Sequence, residues 1–67
     1  MASKRPSWTR AVERLPEGVT AVWHSTFERP MVAEAGLTPV QVAGVSALGW
    51  THVEPYACYF GPKCESP

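Results

Sequence analysis

The sequence predicts a single small α+β domain of the form α-β-β-α-β, in which one main helix packs on a three-stranded antiparallel sheet. A length of 67 residues leaves room for one module. Hydrophobic residues make up 45% of the chain and charged residues 18%, which is typical of a folded domain. Seven prolines and five glycines divide the chain into short elements. We expect a flexible basic arm over residues 1–6, the domain over 7–63 and a loose tail over 64–67.

The first element is predicted to be a short helix that begins after Ser7. Serine is a good N-cap residue, and the apolar positions that follow are spaced as on one helix face. Those positions are Trp8, Ala11, Val12 and Leu15. Pro16 and Gly18 end the pattern.

Two strands are predicted next, because the apolar period changes from that of a helix to two. The alternation runs from Val19 to His24 and again from Met31 to Ala35, with a turn near Ser25. The two segments should form a hairpin. Pro30 has no N–H to donate, which favours an edge position for the second strand.

The main helix has the clearest local signals in the chain. Thr38 is a predicted N-cap, Pro39 stands at the first helical position, and Gln41 completes a capping box. Gly49 marks the predicted end. The segment is apolar on most sides, so we expect a core element in which Gly44 allows close approach to the sheet.

Residues 50–60 are rich in aromatic and β-branched types and predict a last strand, interrupted or bulged near Pro55. A right-handed crossover over the main helix would place this strand beside the first one. The expected strand order is therefore 2-1-3.

Charge and hydropathy exclude several classes of protein. Six Lys and Arg balance six Glu, although residues 1–14 carry a net charge of +3 and residues 15–67 one of −3. This balance argues against a nucleic-acid binder that relies on a basic surface. No apolar run is long enough for a membrane span, and no signal peptide is recognisable. We expect a cytoplasmic protein without a membrane partner.

Metal binding and catalysis are both disfavoured. The residues with the right chemistry for structural zinc are His24, His52, Cys58 and Cys64. They lack the tight paired spacing of zinc sites, so we expect no metal and no cofactor. In a reducing cytosol we also expect no disulfide between the two cysteines. The chain contains no Asp, and no nucleophile stands in a known motif. His52 and Glu54 could form an acid-base pair on one strand face, but without a cleft we predict no enzyme activity.

Two kinds of binding remain open. A nucleic-acid site would use cations with a stacking indole, and the candidates are Lys4, Arg5, Trp8, Arg10 and Arg14. A protein-binding site would use a sheet edge and an aromatic strand, and the candidates there are Trp50, Tyr56, Tyr59 and Phe60.

Three short motifs resemble one family. The stretch Phe27-Glu28-Arg29-Pro30-Met31-Val32-Ala33-Glu34 is similar to the F-E-x-P-apolar-x-A-E segment of the small T7-phage inhibitors of bacterial host RNA polymerase. Thr51-His52-Val53-Glu54-Pro55 resembles that family's T-R-V-R-P, and Phe60-Gly61-Pro62-Lys63 resembles its apolar-A-P-K ending. The resemblance covers roughly residues 19–63.

The resemblance implies a phage-encoded protein that binds the β′ subunit of RNA polymerase in the host cytoplasm and inhibits or modulates transcription initiation. The family's two binding arginines correspond to His52 and Glu54, so one charge is lost and the other is reversed. We therefore expect an altered docking site built from His52, Glu54, Glu28 and Arg29. The alternatives are the nucleic-acid module and a phage counter-defence protein that binds another host protein.

Overall fold

The computed structural model describes residues 5–67, so Lys4 and the rest of residues 1–4 lie outside it. The described chain is an α+β domain with a four-stranded antiparallel sheet and one main helix. The elements in chain order are α1 (Trp8–Val12), β1 (Val22–His24), β2 (Arg29–Ala33), α2 (Pro39–Ala47), β3 (Thr51–Val53), the 3₁₀ turn η1 (Glu54–Tyr56) and β4 (Cys58–Phe60).

The first helix begins where the sequence predicts. Ser7 Oγ accepts a hydrogen bond from the backbone N–H of Arg10 at 3.2 Å, which confirms the N-cap. The helix is shorter than the apolar pattern predicts. It ends at Val12, and Leu15, the last apolar position of the pattern, lies beyond its end. Such a short helix is stable only when docked, and Trp8 packs edge-on against Trp23 of β1 at 6.1 Å.

The sheet differs from the prediction in strand number and order. β1 and β2 do form the predicted antiparallel hairpin, with Trp23 opposite Pro30. The observed order is β1-β2-β4-β3, however, so β4 lies beside β2 and the predicted order 2-1-3 is wrong. The reason is that residues 50–60 form two antiparallel strands instead of one, and the second of these returns into the centre of the sheet.

Pro30 lies in a central strand, so the predicted edge position is also wrong. The paired register between β2 and β4 starts at Met31, and Pro30 uses only its carbonyl there, accepting from Gly61 N–H at 2.9 Å. Its missing N–H is therefore tolerated at the end of the ladder. A Cβ atom at Gly61 would lie 2.8 Å from the Pro30 ring and 2.7 Å from the Trp50 indole, so the backbone approaches both closely.

The main helix confirms its predicted signals. Thr38 Oγ1 accepts from Gln41 N–H at 3.1 Å, and Gln41 Oε1 accepts from Thr38 N–H at 2.8 Å, which together form the capping box. Gly49, with φ of +86°, follows the C-cap. The expectation of a core element is only partly met, since Val45 alone in this helix is fully buried. None of the helices within residues 5–67 is long and apolar enough to cross a bilayer.

Gly44 allows a close approach, but to a different neighbour from the one expected. A Cβ atom there would lie 2.5 Å from the ring of Pro16, in the segment between α1 and β1. The helix is thus packed against the chain that leaves α1. The sheet does not supply this contact.

The predicted interruption near Pro55 is confirmed, with a larger consequence than a bulge. Glu54–Tyr56 form η1, and Ala57 follows with φ of +52°, a left-handed conformation that reverses the chain. β3 and β4 then pair with His52 opposite Tyr59.

The sheet has two distinct faces. Val32 and Tyr59 point to the helical side, where they form the core with Val45 and Trp50. Since side chains alternate along a strand, Met31 and its neighbour Phe60 point to the opposite side, which we call the open face.

The last residues are better anchored than the predicted loose tail. Cys64 is 0% exposed, and its backbone N–H donates to the carbonyl of Glu28 at 3.1 Å. The N–H of Glu65 donates to the carbonyl of Pro6 at 3.0 Å. Residues 61–67 have no regular secondary structure, yet tertiary contacts hold Cys64 in the interior.

Candidate functional site

An aromatic cluster covers the open face of the sheet. Its members are His24, Phe27, Tyr56 and Phe60. Phe60 lies beneath at 4% exposure, whereas Phe27 is 37% and Tyr56 57% exposed. Large exposed aromatic side chains beside one another are unusual on a monomer surface and typical of binding sites.

Two turns at opposite ends of the sheet position the exposed rings. Phe27 belongs to the turn between β1 and β2, and Tyr56 belongs to η1 between β3 and β4. Both rings reach over Phe60, with centroid distances of 5.1 Å for Phe27 and 6.2 Å for Tyr56. They lie 6.1 Å from each other in a stacked arrangement.

His24 fixes the position of Phe27. The imidazole stacks on the Phe27 ring at 4.4 Å, and its Nδ1 accepts a hydrogen bond from Phe27 N–H at 3.2 Å. Because backbone and ring are both held, the aromatic surface is largely preorganised, which lowers the entropic cost of binding.

A groove of about 330 Å³ lies beside Phe27 on the open face. It is lined by Phe27, Arg29, Thr51, Val53 and Phe60. Arg29 donates through a terminal guanidinium nitrogen to the carbonyl of Gly61 at 3.2 Å, so its charge is held at the groove. The groove thus combines apolar walls with one fixed cation, an arrangement that suits a protein side chain.

The predicted partner-binding residues are divided by the fold. Arg29 lines the groove on the open face, and Glu54 is exposed in η1, two residues before Tyr56. Glu28 has φ of +57°, and its carboxylate pairs with Arg5 at 2.8 Å. Both side chains of that pair are well exposed, so we expect it to contribute no more than about 1 kcal/mol.

His52 is placed away from the other three. It alternates with the open-face residues Thr51 and Val53, and its ring contacts Tyr59 at 4.8 Å. Nε2 of His52 lies 2.9 Å from Oε1 of Glu34. The expectation that His52 and Glu54 share one strand face is therefore wrong, because the strand ends at Val53 and Glu54 begins η1.

The predicted nucleic-acid residues are also separated. Trp8 packs against Trp23, and Arg5 is paired with Glu28, so neither is a free stacking or phosphate-binding group. Arg10 and Arg14 remain together and line a second groove. Lys4 lies outside the described residues.

The four predicted zinc-type residues do not assemble. Within residues 5–67 no group of three or more metal-binding side chains is found. Both cysteines are free and buried. Burial raises the pKa of the Cys58 thiol. It also raises the pKa of the Cys64 thiol, with a downward effect from the charge of Arg5 and a smaller upward effect from that of Glu65.

The sequence alone does not single out Phe27 as a candidate, because only the tertiary fold brings its ring beside Tyr56. Of the four aromatic candidates on the last strand segment, Trp50 and Tyr59 belong to the core and Phe60 is covered, which leaves Tyr56 exposed. The orientation of His52 was predictable from the sequence, because successive side chains of a strand point to opposite faces of the sheet. His52 stands between Thr51 and Val53 and therefore faces away from the side to which they point.

No family model, curated protein or solved structure matches this chain.

Proposed function

We propose that this is a protein-binding module that docks on a partner through the aromatic cluster of its open face. The partner proposed first is bacterial RNA polymerase, which a phage-encoded protein of this kind would inhibit or modulate at transcription initiation. The observation that carries the proposal is the exposure of Phe27 and Tyr56 above the covered ring of Phe60.

Physical considerations favour protein binding at this face. Aromatic side chains and arginine dominate the energetics of protein interfaces, and the cluster with Arg29 supplies both. A standard interface buries about 800 Å² on each partner, roughly a sixth of the 4569 Å² surface of this domain. The domain is therefore large enough to bury a standard interface on one of its sides.

The choice of polymerase follows from the sequence resemblance together with the groove. Phe27 and Arg29 come from the first resembling motif, Thr51 and Val53 from the second, and Phe60 from the third. All five residues line one groove. Glu54 stands beside this surface where the family has an arginine, so we propose a docking contact of reversed charge at that position.

The first experiment is a pull-down from bacterial lysate with the tagged protein, followed by promoter-dependent transcription with purified polymerase. We expect recovery of polymerase subunits and a saturable loss of transcript. Absence of polymerase from the pull-down, with unchanged transcription at large molar excess, would exclude this partner.

Two matched variants test the docking face. We expect Phe27→Ser with Tyr56→Ser to raise the half-inhibitory concentration at least tenfold, a loss of about 1.4 kcal/mol or more. Val40→Ser is the control, because Val40 is 79% exposed on α2 and lies outside the cluster. Equal inhibition by the two variants would contradict docking through the aromatic face.

The aromatic variants and one further pair of substitutions separate the alternatives. If a counter-defence role against another host protein is correct, a different protein is enriched and its capture still depends on Phe27 and Tyr56. If the nucleic-acid module is correct, the protein binds DNA with a steep salt dependence, and Arg10→Gln with Arg14→Gln abolishes binding.

A further inference from the structure

A second groove lies next to α1, and none of its lining residues belongs to the aromatic cluster. It measures about 220 Å³ and is lined by Pro6, Arg10, Ala11, Arg14, Leu48, Trp50 and Pro62. The lining joins three distant parts of the chain: the α1 segment, the end of α2 and the residues after β4. Only the folded chain creates this groove.

The groove combines two positive charges with an apolar interior. Arg10 and Arg14 are both exposed, and neither forms an ion pair within residues 5–67. The side chain of Trp50 is only 8% exposed and belongs to the hydrophobic core. Its indole therefore forms a rigid wall of the groove. The guanidinium groups of two arginines are suited to carboxylates, which they bind through paired N–H donors.

The size of the groove limits what it can hold. A volume of 220 Å³ is below the range of about 300–1,000 Å³ for pockets that bury a whole small-molecule ligand. It is larger than the cavity of about 150 Å³ that accepts a benzene ring. The groove can therefore hold one apolar side chain of a ligand, and a carboxylate on a neighbouring residue of that ligand can reach the two arginines.

We propose that this groove binds an acidic segment of a partner protein, in which a carboxylate next to an apolar side chain contacts Arg10 and Arg14. The apolar side chain enters the groove against Trp50 and Leu48. This site is independent of the aromatic cluster and of the identity of the partner proposed above.

An acidic protein segment fits better than a nucleic-acid strand. Two arginines neutralise two phosphates, which gives only weak binding at physiological salt. The ring of Trp50 is too well covered to stack on a base.

The test is an NMR titration of the isotope-labelled 67-residue chain with two tetrapeptides. Acetyl-Glu-Leu-Leu-Glu-amide carries the carboxylates, and acetyl-Gln-Leu-Leu-Gln-amide has the same shape without charge. We expect the first peptide to shift the side-chain N–H signals of Trp50, Arg10 and Arg14 in a saturable way, with at least tenfold weaker binding of the second. Equal shifts with both peptides, or none at millimolar concentration, would overturn the proposal.

Charge-matched variants exclude a general electrostatic effect. Arg10→Gln with Arg14→Gln should weaken binding of the acidic peptide at least tenfold. Arg5→Gln with Lys63→Gln removes the same number of charges from residues that do not line the groove, and it should change binding less than twofold. A twelve-nucleotide oligothymidylate is titrated in the same way. If it shifts the same N–H signals and binds more tightly than the acidic peptide, the groove is a nucleic-acid site and the proposal is wrong.

Discussion

At the scale of single residues, the two cysteines show how burial controls chemistry in this domain. Cys58 is 1% and Cys64 0% exposed, and neither is part of a disulfide. The thiolate is the reactive form of cysteine, and burial disfavours that charged form. Both thiols are therefore structural apolar groups, in spite of the zinc-type chemistry that their residue type offers.

We predict that neither thiol of the native protein reacts with a thiol reagent at the rate of free cysteine. Burial raises both pKa values above the usual 9.0 and also blocks access. Reaction with Ellman's reagent at pH 8 should be slow, and unfolding in guanidinium chloride should make both thiols react at once. Fast reaction of one thiol in the native state would show that its segment opens.

The same shifts predict a loss of stability in alkali. Because the pKa of each thiol is raised in the folded state, the folded protein holds its protons at pH values where the unfolded chain releases them. The stabilisation is complete below the unfolded pKa, near 9, and is lost as the pH rises through the folded pKa. The loss is measured by denaturant unfolding between pH 7 and pH 10.5, for the native protein and for the variant Cys58→Ala with Cys64→Ala. The native protein should lose unfolding free energy above pH 9 relative to the variant, which lacks both thiols. A difference between the two proteins that stays constant with pH would contradict the linkage.

At the scale of elements, the main helix is held by its caps and by one close contact. The capping box at Thr38 and Gln41 satisfies two N–H groups that the helix leaves unpaired. The amide nitrogen of Gln41 also donates to the carbonyl of Glu17 at 3.1 Å. One side chain thus connects the start of α2 to the segment that follows α1, and the contact of Gly44 with Pro16 lies between the same two parts of the chain.

We predict that Gly44→Ala destabilises the protein, although alanine is the better helix former by about 1 kcal/mol. The added Cβ would lie 2.5 Å from the Pro16 ring, and such overpacking costs about 1–3 kcal/mol. In a Pro16→Ala background, which removes the clashing ring carbon, the same change should be stabilising. A double-mutant cycle by urea unfolding gives the coupling, which we expect to exceed about 1 kcal/mol. Additive effects would show that the two residues do not touch.

At the scale of the whole molecule, the open face and the second groove are products of packing one helical layer on one sheet. The helices cover the side of Val32 and Tyr59, so the opposite side is left for the aromatic cluster. The domain measures 40 × 24 × 18 Å. Since a helix has a diameter of about 10 Å, the smallest dimension leaves room for one helical layer over the sheet. No second helical layer covers the open face among the described residues.

The C-terminal segment is predicted to be necessary for stability. Deletion of residues 64–67 removes the fully buried Cys64 and two backbone hydrogen bonds, to Glu28 and to Pro6. Each such bond contributes about 1 kcal/mol, so the unfolding free energy should fall by about 2 kcal/mol or more. Thermal unfolding should shift by roughly 8 °C or more. Deletion of residues 66–67, which are exposed, is the control and should have little effect. Equal melting temperatures for the two truncated proteins would mean that Cys64 does not support the fold.

The sequence by itself determined the local events: the caps of both helices, the first hairpin, the break near Pro55 and the α+β class. Each of these depends on residues within a few positions of one another, so the chemical signal and its effect lie in the same short segment. The candidate aromatic residue Tyr56 and the groove cation Arg29 were predictable in the same way, as residue types in suitable positions.

Only the tertiary structure decided the strand order, the pairing of His52 with Glu34, the burial of Cys64 and the meeting of Phe27 with Tyr56. These depend on which strand pairs with which, and several pairings satisfy the same apolar alternation. Once residues 50–60 fold back at Ala57, β4 takes the central place beside β2. The turn before β2 and the turn before β4 then place the rings of Phe27 and Tyr56 over the same open face. Both rings contact Phe60, because these strands are short and the register of β2 with β4 places Phe60 opposite Met31.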